Sequence, residues 1–445
     1  MRTSTKSFAA VAIVLLIAAT AATGARAAPP PTDVALQLLD RLDAGSYESA
    51  EAFFDAAMRQ AVPVDRLAGV WQSLPAARGR GVPQVRAVEG ATVVTIPLHR
   101  DGAEMLAQVA VGADGEVKGF FVQPAAPAPA AAPPADAPYV EREAAIGTGA
   151  SALPATLAMP RGAGPFPAVV LVHGSGPQDR DETIGANRPF LDLARGLAAR
   201  GVAVLRYEKR THAHPEAFAG HDFSVDDETT DDAVAAIAML RAQPGIDPSR
   251  VFVLGHSQGA MLAPRIAARS GQAAGVIMLA SPARRLLDLL PEQNRYLASL
   301  DGVLSDDDKA AIARIDALIA TVRSGGALAA EDTPLGLPAA YWRSIDAIDP
   351  LADARASKLP MLLLQGGRDF QVTATDWSLW QSAFGADPRA TLHFYPALNH
   401  LAIAGSGAAT PQDYQTAGHV DAQLLADVAA WIAARHAVTA AATAR

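Results

Sequence analysis

Val251-Phe252-Val253-Leu254 runs directly into Gly255-His256-Ser257-Gln258-Gly259, and a helical pattern then continues to Arg269. A continuous apolar run of this kind suits a strand covered on both faces. The two glycines let the chain turn sharply from strand to helix without a Cβ clash, which leaves the serine hydroxyl at the tip of a strained elbow. The pentapeptide alone is a weak signal; the strand before it and the helix after it give it weight. On this geometry His256 points away from the hydroxyl and is structural.

A serine hydroxyl is a poor nucleophile at neutral pH and needs a base oriented by an acid. In such a sheet these partners follow in the order Ser, Asp or Glu, His. Asp369, in Gln-Gly-Gly-Arg-Asp, lies just past the strand expected at Met361 to Leu364, and His400, in Leu-Asn-His-Leu, just past Thr391 to Tyr395. Both therefore fall at carboxyl ends of strands, on the rim where Ser257 lies. The successive spacings are 112 and 31 residues. His419 is a poorer base because it sits at a helix start, and His393 is expected to pack inside a strand. For Asp376 a capping role suffices. Donors for a developing oxyanion are expected from His173-Gly174-Ser175-Gly176, which follows the strand Ala168 to Val172. The backbone N–H groups of Ser175 and Gln258 are the candidates, with Gly174 as the alternative to Ser175.

Outward from this centre the pattern is α/β. Strands are expected at Val140 to Ile146, Leu153 to Met159, Ala168 to Val172, Val202 to Arg206, Val251 to Leu254, Val276 to Ala280, Met361 to Leu364 and Thr391 to Tyr395. Helices are expected at Pro189 to Arg200, Asp226 to Gln243, Gln258 to Arg269, Asp376 to Phe384 and Val420 to Ala434. The acidic run 226–232 reads as a helix start, where carboxylates complement the dipole. Residues 284–349 hold helical stretches (Leu286 to Leu300, Asp306 to Val322, Pro338 to Ile345) and no convincing strand, so they form a helical lid insert. Leu286, Leu287, Leu289 and Leu290 would either favour an apolar acyl chain or simply pack the insert onto the body. Gln178 to Glu182 would position substrate or form ion pairs that hold their loop, the second being the safer reading. His212 and His214, with His221 nearby, lack a third ligand at metal spacing, so no metal is expected.

Before Tyr139 the grammar differs. Residues 32–123 form a small α+β domain, with helices at 34–42, 49–58 and 64–74 and then strands at 93–96, 106–111 and 117–122, the hairpins turning at Asp101-Gly102 and Asp114-Gly115. Residues 124–138 are almost pure proline and alanine, a semi-rigid linker. At the start, Arg2 and Lys6 precede an apolar run from Phe8 to Ala22 and Ala25-Arg26-Ala27, an export signal over residues 1–27. The run is shorter than a bilayer span requires, and no later segment is apolar enough to cross. Cleavage after Ala27 leaves 34 basic against 46 acidic side chains, a charge of −12. An acidic chain without a basic block is a poor partner for nucleic acid. With no cysteine in 445 residues, disulfides, thiolate metal sites and cysteine nucleophiles are excluded.

These residues together resemble the α/β-hydrolase superfamily in its bacterial esterase and serine-aminopeptidase-like branch. The resemblance spans about residues 139–438 and rests on five ordered motifs: His173 to Asp181, Arg206-Tyr-Glu-Lys-Arg210, Gly255 to Gly259, Gly366-Gly-Arg-Asp369 and Asn399-His400. It implies a mostly parallel eight-stranded sheet, with Ser257 as nucleophile, Asp369 as orienting acid and His400 as base. The first domain is similar to a small unit of unknown function that precedes such hydrolases, which implies no chemistry. The expected activity is hydrolysis of a small-molecule carboxylic ester by an exported enzyme without a cofactor. A peptide or amide substrate on the same machinery is the alternative. A non-catalytic envelope binding protein is a third reading, disfavoured because all three residues are in place.

Overall fold

The computed structural model describes residues 29–442 except 89, 102, 126–129, 219, 301, 329–332, 334 and 335; residues 1–27, where an export signal is expected, lie outside the described residues. The chain divides into two compact units, with the boundary between Ala128 and Pro129.

The first unit opens with α1 (Pro31–Asp43), α2 (Tyr47–Glu51), α3 (Ala56–Ala61) and α4 (Val64–Ser73), followed by β1 (Ala77–Arg80), β2 (Gln84–Val88), β3 (Ala91–Arg100), β4 (Ala103–Gly112) and β5 (Val117–Pro124). The helix expected over 49–58 is broken in two. Phe54 leaves helical geometry to bridge Val117 and is fully buried, and Asp55 then caps α3 by accepting from the Met58 N–H at 2.7 Å. The three expected strands are present, and β1 and β2 join β3 as antiparallel partners. Both additions, Ala-Arg-Gly-Arg and Gln-Val-Arg-Ala-Val, are mostly exposed and bury neither face. The unit has its own core, in which Leu38 and Leu39 of α1 and Phe54 between α2 and α3 meet Ile96, Val109 and Phe120 of the sheet.

The second unit contains all eight expected strands: β6 (Tyr139–Ile146), β7 (Leu153–Pro160), β8 (Phe166–Val172), β9 (Ala203–Tyr207), β10 (Ile246–His256), β11 (Val276–Leu279), β12 (Met361–Gly366) and β13 (Ala390–Tyr395). They lie in the order β13-β12-β11-β10-β8-β9-β7-β6. Pairing is parallel from β13 through to β9 and antiparallel where β7 meets β9 and β6. Side chains alternate strictly: Val251 and Val253 of β10 enter the core on one face, Phe252 and Leu254 the core on the other. The second of these faces is covered by α5 (Pro189–Ala198) and by the helix α14 (Ala422–Ala442), whose Trp431 ring packs 5.7 Å from Phe252. The opposite face is covered by α7 (Asp231–Arg241), α8 (Gln258–Ser270) and α13 (Ala374–Phe384); the short α6 (Arg210–Ala213) follows β9. The far end of the Pro/Ala stretch is anchored to this unit, since Ala131 accepts from Arg195 Nη2 at 2.7 Å and Ala137 from Arg161 Nε at 2.9 Å.

Between β11 and β12 the described residues form α9 (Leu286–Ala298), α10 (Asp306–Ser324), α11 (Ala339–Asp346) and α12 (Pro350–Ala356), with no strand among them. Asp376, expected as a cap, anchors the start of this insert instead. Thr373 caps α13, while Asp376 Oδ1 accepts from the N–H groups of Ala283 and Arg284, and the Arg284 guanidinium grips both carboxylate oxygens. Leu287 lies in the domain core, and Leu286 and Leu290, both half-buried, pack against it, so these leucines help to hold the insert down.

Candidate active site

Why the sequence turns at 255–259 is steric. A Cβ on Gly255 would overlap the Gly259 carbonyl, and one on Gly259 would overlap the carbonyls of Val172 and His173. Only glycine lets α8 start this close to the end of β8. Ser257 occupies the elbow with φ 53° and ψ −118°, a strained conformation for an L-residue, and its N–H is held by the Leu279 carbonyl at 2.9 Å. Its side chain stays partly exposed and has no hydrogen bond among the described residues. Gln258 begins α8, where a backbone N–H has no partner within the helix.

Asp369 and His400 come together from the ends of β12 and β13, 2.7 Å apart between Oδ2 and the imidazole Nδ1, with both side chains buried. The Asp369 carboxylate is fixed further by the N–H groups of Gln371 and Val372, at 2.8 and 2.9 Å, and by Gln365 Nε2 at 3.3 Å. Those donors satisfy the remaining lone pairs of a buried acid, which leaves the imidazole one orientation. On the other side, Asn399 Oδ1 accepts from the N–H groups of Leu401 and Ile403 and so shapes the loop that carries His400.

His256 ties this loop to the elbow. Its Nε2 lies 2.9 Å from the His400 carbonyl and its Nδ1 2.9 Å from Glu182 Oε2, with both side chains inaccessible to solvent. Burial opposes a charge on His256, but Glu182 outweighs it and raises its pKa; burial likewise opposes charge on Glu182, and His256 with the Gly174 N–H lowers its pKa. The two buried groups thus favour each other's charged form next to the elbow. His173, packed between Phe190 and Tyr207, is the opposite case: burial pushes its pKa down to about 4, so it is neutral.

The glycine-rich loop approaches the elbow closely: a Cβ on Gly174 would lie 3.3 Å from Ser257 Cβ. Gly174 is ruled out as an oxyanion donor, because its N–H already donates to Glu182 Oε1 at 2.6 Å. The Ser175 N–H has no partner among the described residues. The acidic loop that follows is held by ion pairs, Arg180 to Glu208 and Glu143, and Asp181 to Arg206. Glu182 is a residue that sequence reasoning missed in this role. Its signal was its place in the quoted loop, but nothing local distinguishes a buried acid from its exposed neighbours.

The rivals lie elsewhere. His419 is exposed and faces Asp192, and His393 is half-exposed beside Asp427 rather than packed within its strand. In the acidic run, Asp226 pairs with Arg265 and Arg269, and Asp232 forms a fork with Arg210, ahead of and within the first turn of α7. The carbonyl of Ala152 meets His214 Nε2, and Glu208 faces His212. Among the described residues no group of three His, Cys, Asp or Glu is placed to hold a metal ion.

Residues 164–404 match the family described as Hydrolase_4, serine aminopeptidase, S33. Esterase EstD from Thermotoga maritima is 36% identical over 405 residues, which cover 89% of this chain and 94% of the relative. Among solved structures, Est1E from Butyrivibrio proteoclasticus aligns at 17% identity and a TM-score of 0.43, covering 66% of this chain and 99% of its own. A hyperthermophilic esterase from the archaeon Pyrobaculum calidifontis aligns at 18% and 0.41, covering 66% and 84%. The chain therefore belongs to the serine aminopeptidase S33 family of α/β hydrolases.

Proposed function

We propose that this protein is an exported serine carboxylesterase. The observation that carries the reading is the buried Asp369–His400 pair, 2.7 Å apart, with the His400 carbonyl 2.9 Å from His256, the residue before a serine held in a strained strand-to-helix elbow. His400 takes the proton of Ser257 as its oxygen attacks the ester carbonyl, and Asp369 stabilises the imidazolium that results. The tetrahedral oxyanion is met by the N–H groups of Ser175 and Gln258. The intermediate collapses with a proton from His400 to the leaving alcohol, giving an acyl-enzyme on Ser257. Water, activated by the same imidazole, then releases the acid.

The family description raises a second substrate class, a peptide with a free α-amine. Such an amine needs a carboxylate that is not already neutralised. The buried acids around the elbow and the insert are each paired: Glu182 with His256, Glu228 with Lys209 and Asp376 with Arg284. The relative named an esterase, at 36% identity over most of both chains, supports the ester reading. The test is the initial rate of the purified enzyme on p-nitrophenyl butyrate and on alanine p-nitroanilide, beside Ser257→Ala. Fast, serine-dependent cleavage of the ester alone is expected; preferential cleavage of the anilide would make it an aminopeptidase.

A further inference from the structure

Lys209 is one of five lysines in the chain, and it is buried, with its side chain 1% exposed. Its ammonium donates to the Gly174 carbonyl at 2.9 Å and lies 3.1 Å from Glu228 Oε1. The Gly174 carbonyl shares a peptide unit with the Ser175 N–H, and in a planar trans peptide the two point in opposite directions. Holding the carbonyl on Lys209 therefore fixes where the Ser175 N–H points. The preceding peptide is held as well, since Glu182 takes the Gly174 N–H at 2.6 Å. Rotation of the loop about Gly174, which has no side chain to resist it, is blocked from both sides.

The same pair reaches the second donor. Glu228 Oε2 accepts from Gln258 Nε2 at 3.4 Å, and Gln258 Oε1 accepts from the hydroxyl of Tyr341, on α11 of the insert, at 3.2 Å. One buried chain of contacts thus runs from the insert through Gln258, Glu228 and Lys209 to the peptide of Ser175. A charge-assisted bond to a carbonyl also polarises its peptide and makes the N–H a stronger donor.

We propose that Lys209 is a positioning residue for ester hydrolysis: it aims and polarises the Ser175 N–H toward the oxyanion, with Glu228 as its counter-ion. This rests on the serine-esterase reading above. The test is the double variant Lys209→Met with Glu228→Gln, which removes both charges and leaves no buried ion unpaired, assayed on p-nitrophenyl butyrate and for inhibition by n-butylboronic acid, a tetrahedral mimic. The expected result is a fall in kcat of roughly 10- to 100-fold, less than the roughly 10²- to 10³-fold cost of losing an oxyanion donor outright, because the Ser175 N–H is misaimed rather than removed. KM should stay within about threefold, and the boronate inhibition constant should rise by the same factor as kcat/KM falls. A folded variant that keeps kcat within about threefold of wild type, or one that loses only KM with boronate inhibition unchanged, would overturn the proposal. If the variant does not fold, a crystal structure of the wild-type boronate adduct decides. The boronate oxygen should accept from the Ser175 N–H while Gly174 stays on Lys209, and an oxygen facing away from Ser175, or a Gly174 carbonyl released from Lys209, would sink the idea. Full activity in Ser257→Ala, with no boronate bond to Ser257, would instead overturn the serine reading itself.

Discussion

Ser257 shows how much of the proposed chemistry sits in single residues. In the proposed mechanism its Oγ supplies the attacking electrons, so Ser257→Ala is expected to lower kcat by about 10⁴-fold or more, read as initial rates on p-nitrophenyl butyrate. For Asp369→Asn the packing survives, but the amide leaves His400 in the wrong tautomer, and a drop near 10⁴-fold is expected. The histidines below the elbow make a stability prediction. The His173 pKa lies at about 4 in the fold against 6.5 in a free chain. The stability this gives is present above pH 6.5 and lost as the pH falls toward 4, roughly 2 kcal/mol of it by pH 5. His256 runs the other way: raised in the fold, its contribution is full below 6.5 and fades as the pH rises through its folded value, while that of Glu182, lowered in the fold, is lost on strong acidification. Urea denaturation at pH 7.5 and 5.0 should therefore show a smaller acid loss in His173→Gln than in wild type. An equal loss in both would assign the effect to other groups.

At the scale of elements, the elbow depends on the clearance between α8 and the end of β8. Gly259→Ala puts a methyl into the Val172 carbonyl, so soluble, active enzyme is not expected; a variant with normal turnover on the same ester would contradict the steric account. The helical insert depends on one buried fork. Asp376→Ala leaves two backbone N–H groups without an acceptor and the Arg284 guanidinium on Glu292 alone, with an expected cost of about 2–4 kcal/mol by denaturant titration. The inner strands were legible because each is a continuous apolar run with a required turn at its end. β1 and β2 were not, because edge strands exposed to solvent need no alternation. The helix expected over 49–58 fails for a related reason: its local pattern is helical, but burying Phe54 against β5 outweighs the unbroken ladder.

At the scale of the whole chain, each unit has its own core, and the proposed site lies entirely within the second. A chain beginning at Pro129, which keeps the Ala131 and Ala137 anchors, is expected to hydrolyse p-nitrophenyl butyrate with kcat within about threefold of the full protein. A loss of ten-fold or more would give the first unit a part in catalysis. Export is tested by fractionation and N-terminal sequencing, with a mature start at Ala28 expected and an intact Met1 counting against it.

By itself the sequence determined the alternation of apolar strands and helices, the elbow at Ser257, and the order in which an acid and a histidine follow it. These depend on local periodicity and on the steric demands of glycine, which a linear reading can see. Only the tertiary structure decided that Glu182 and Lys209 are buried beneath the site, that Gly174 has its N–H already engaged, and that leucines of the insert pack against the domain core. A charged side chain carries no local mark of burial. Its partners, His256 and Glu228, lie 74 and 19 residues away along the chain and meet it only once the sheet has brought the strand ends to one rim.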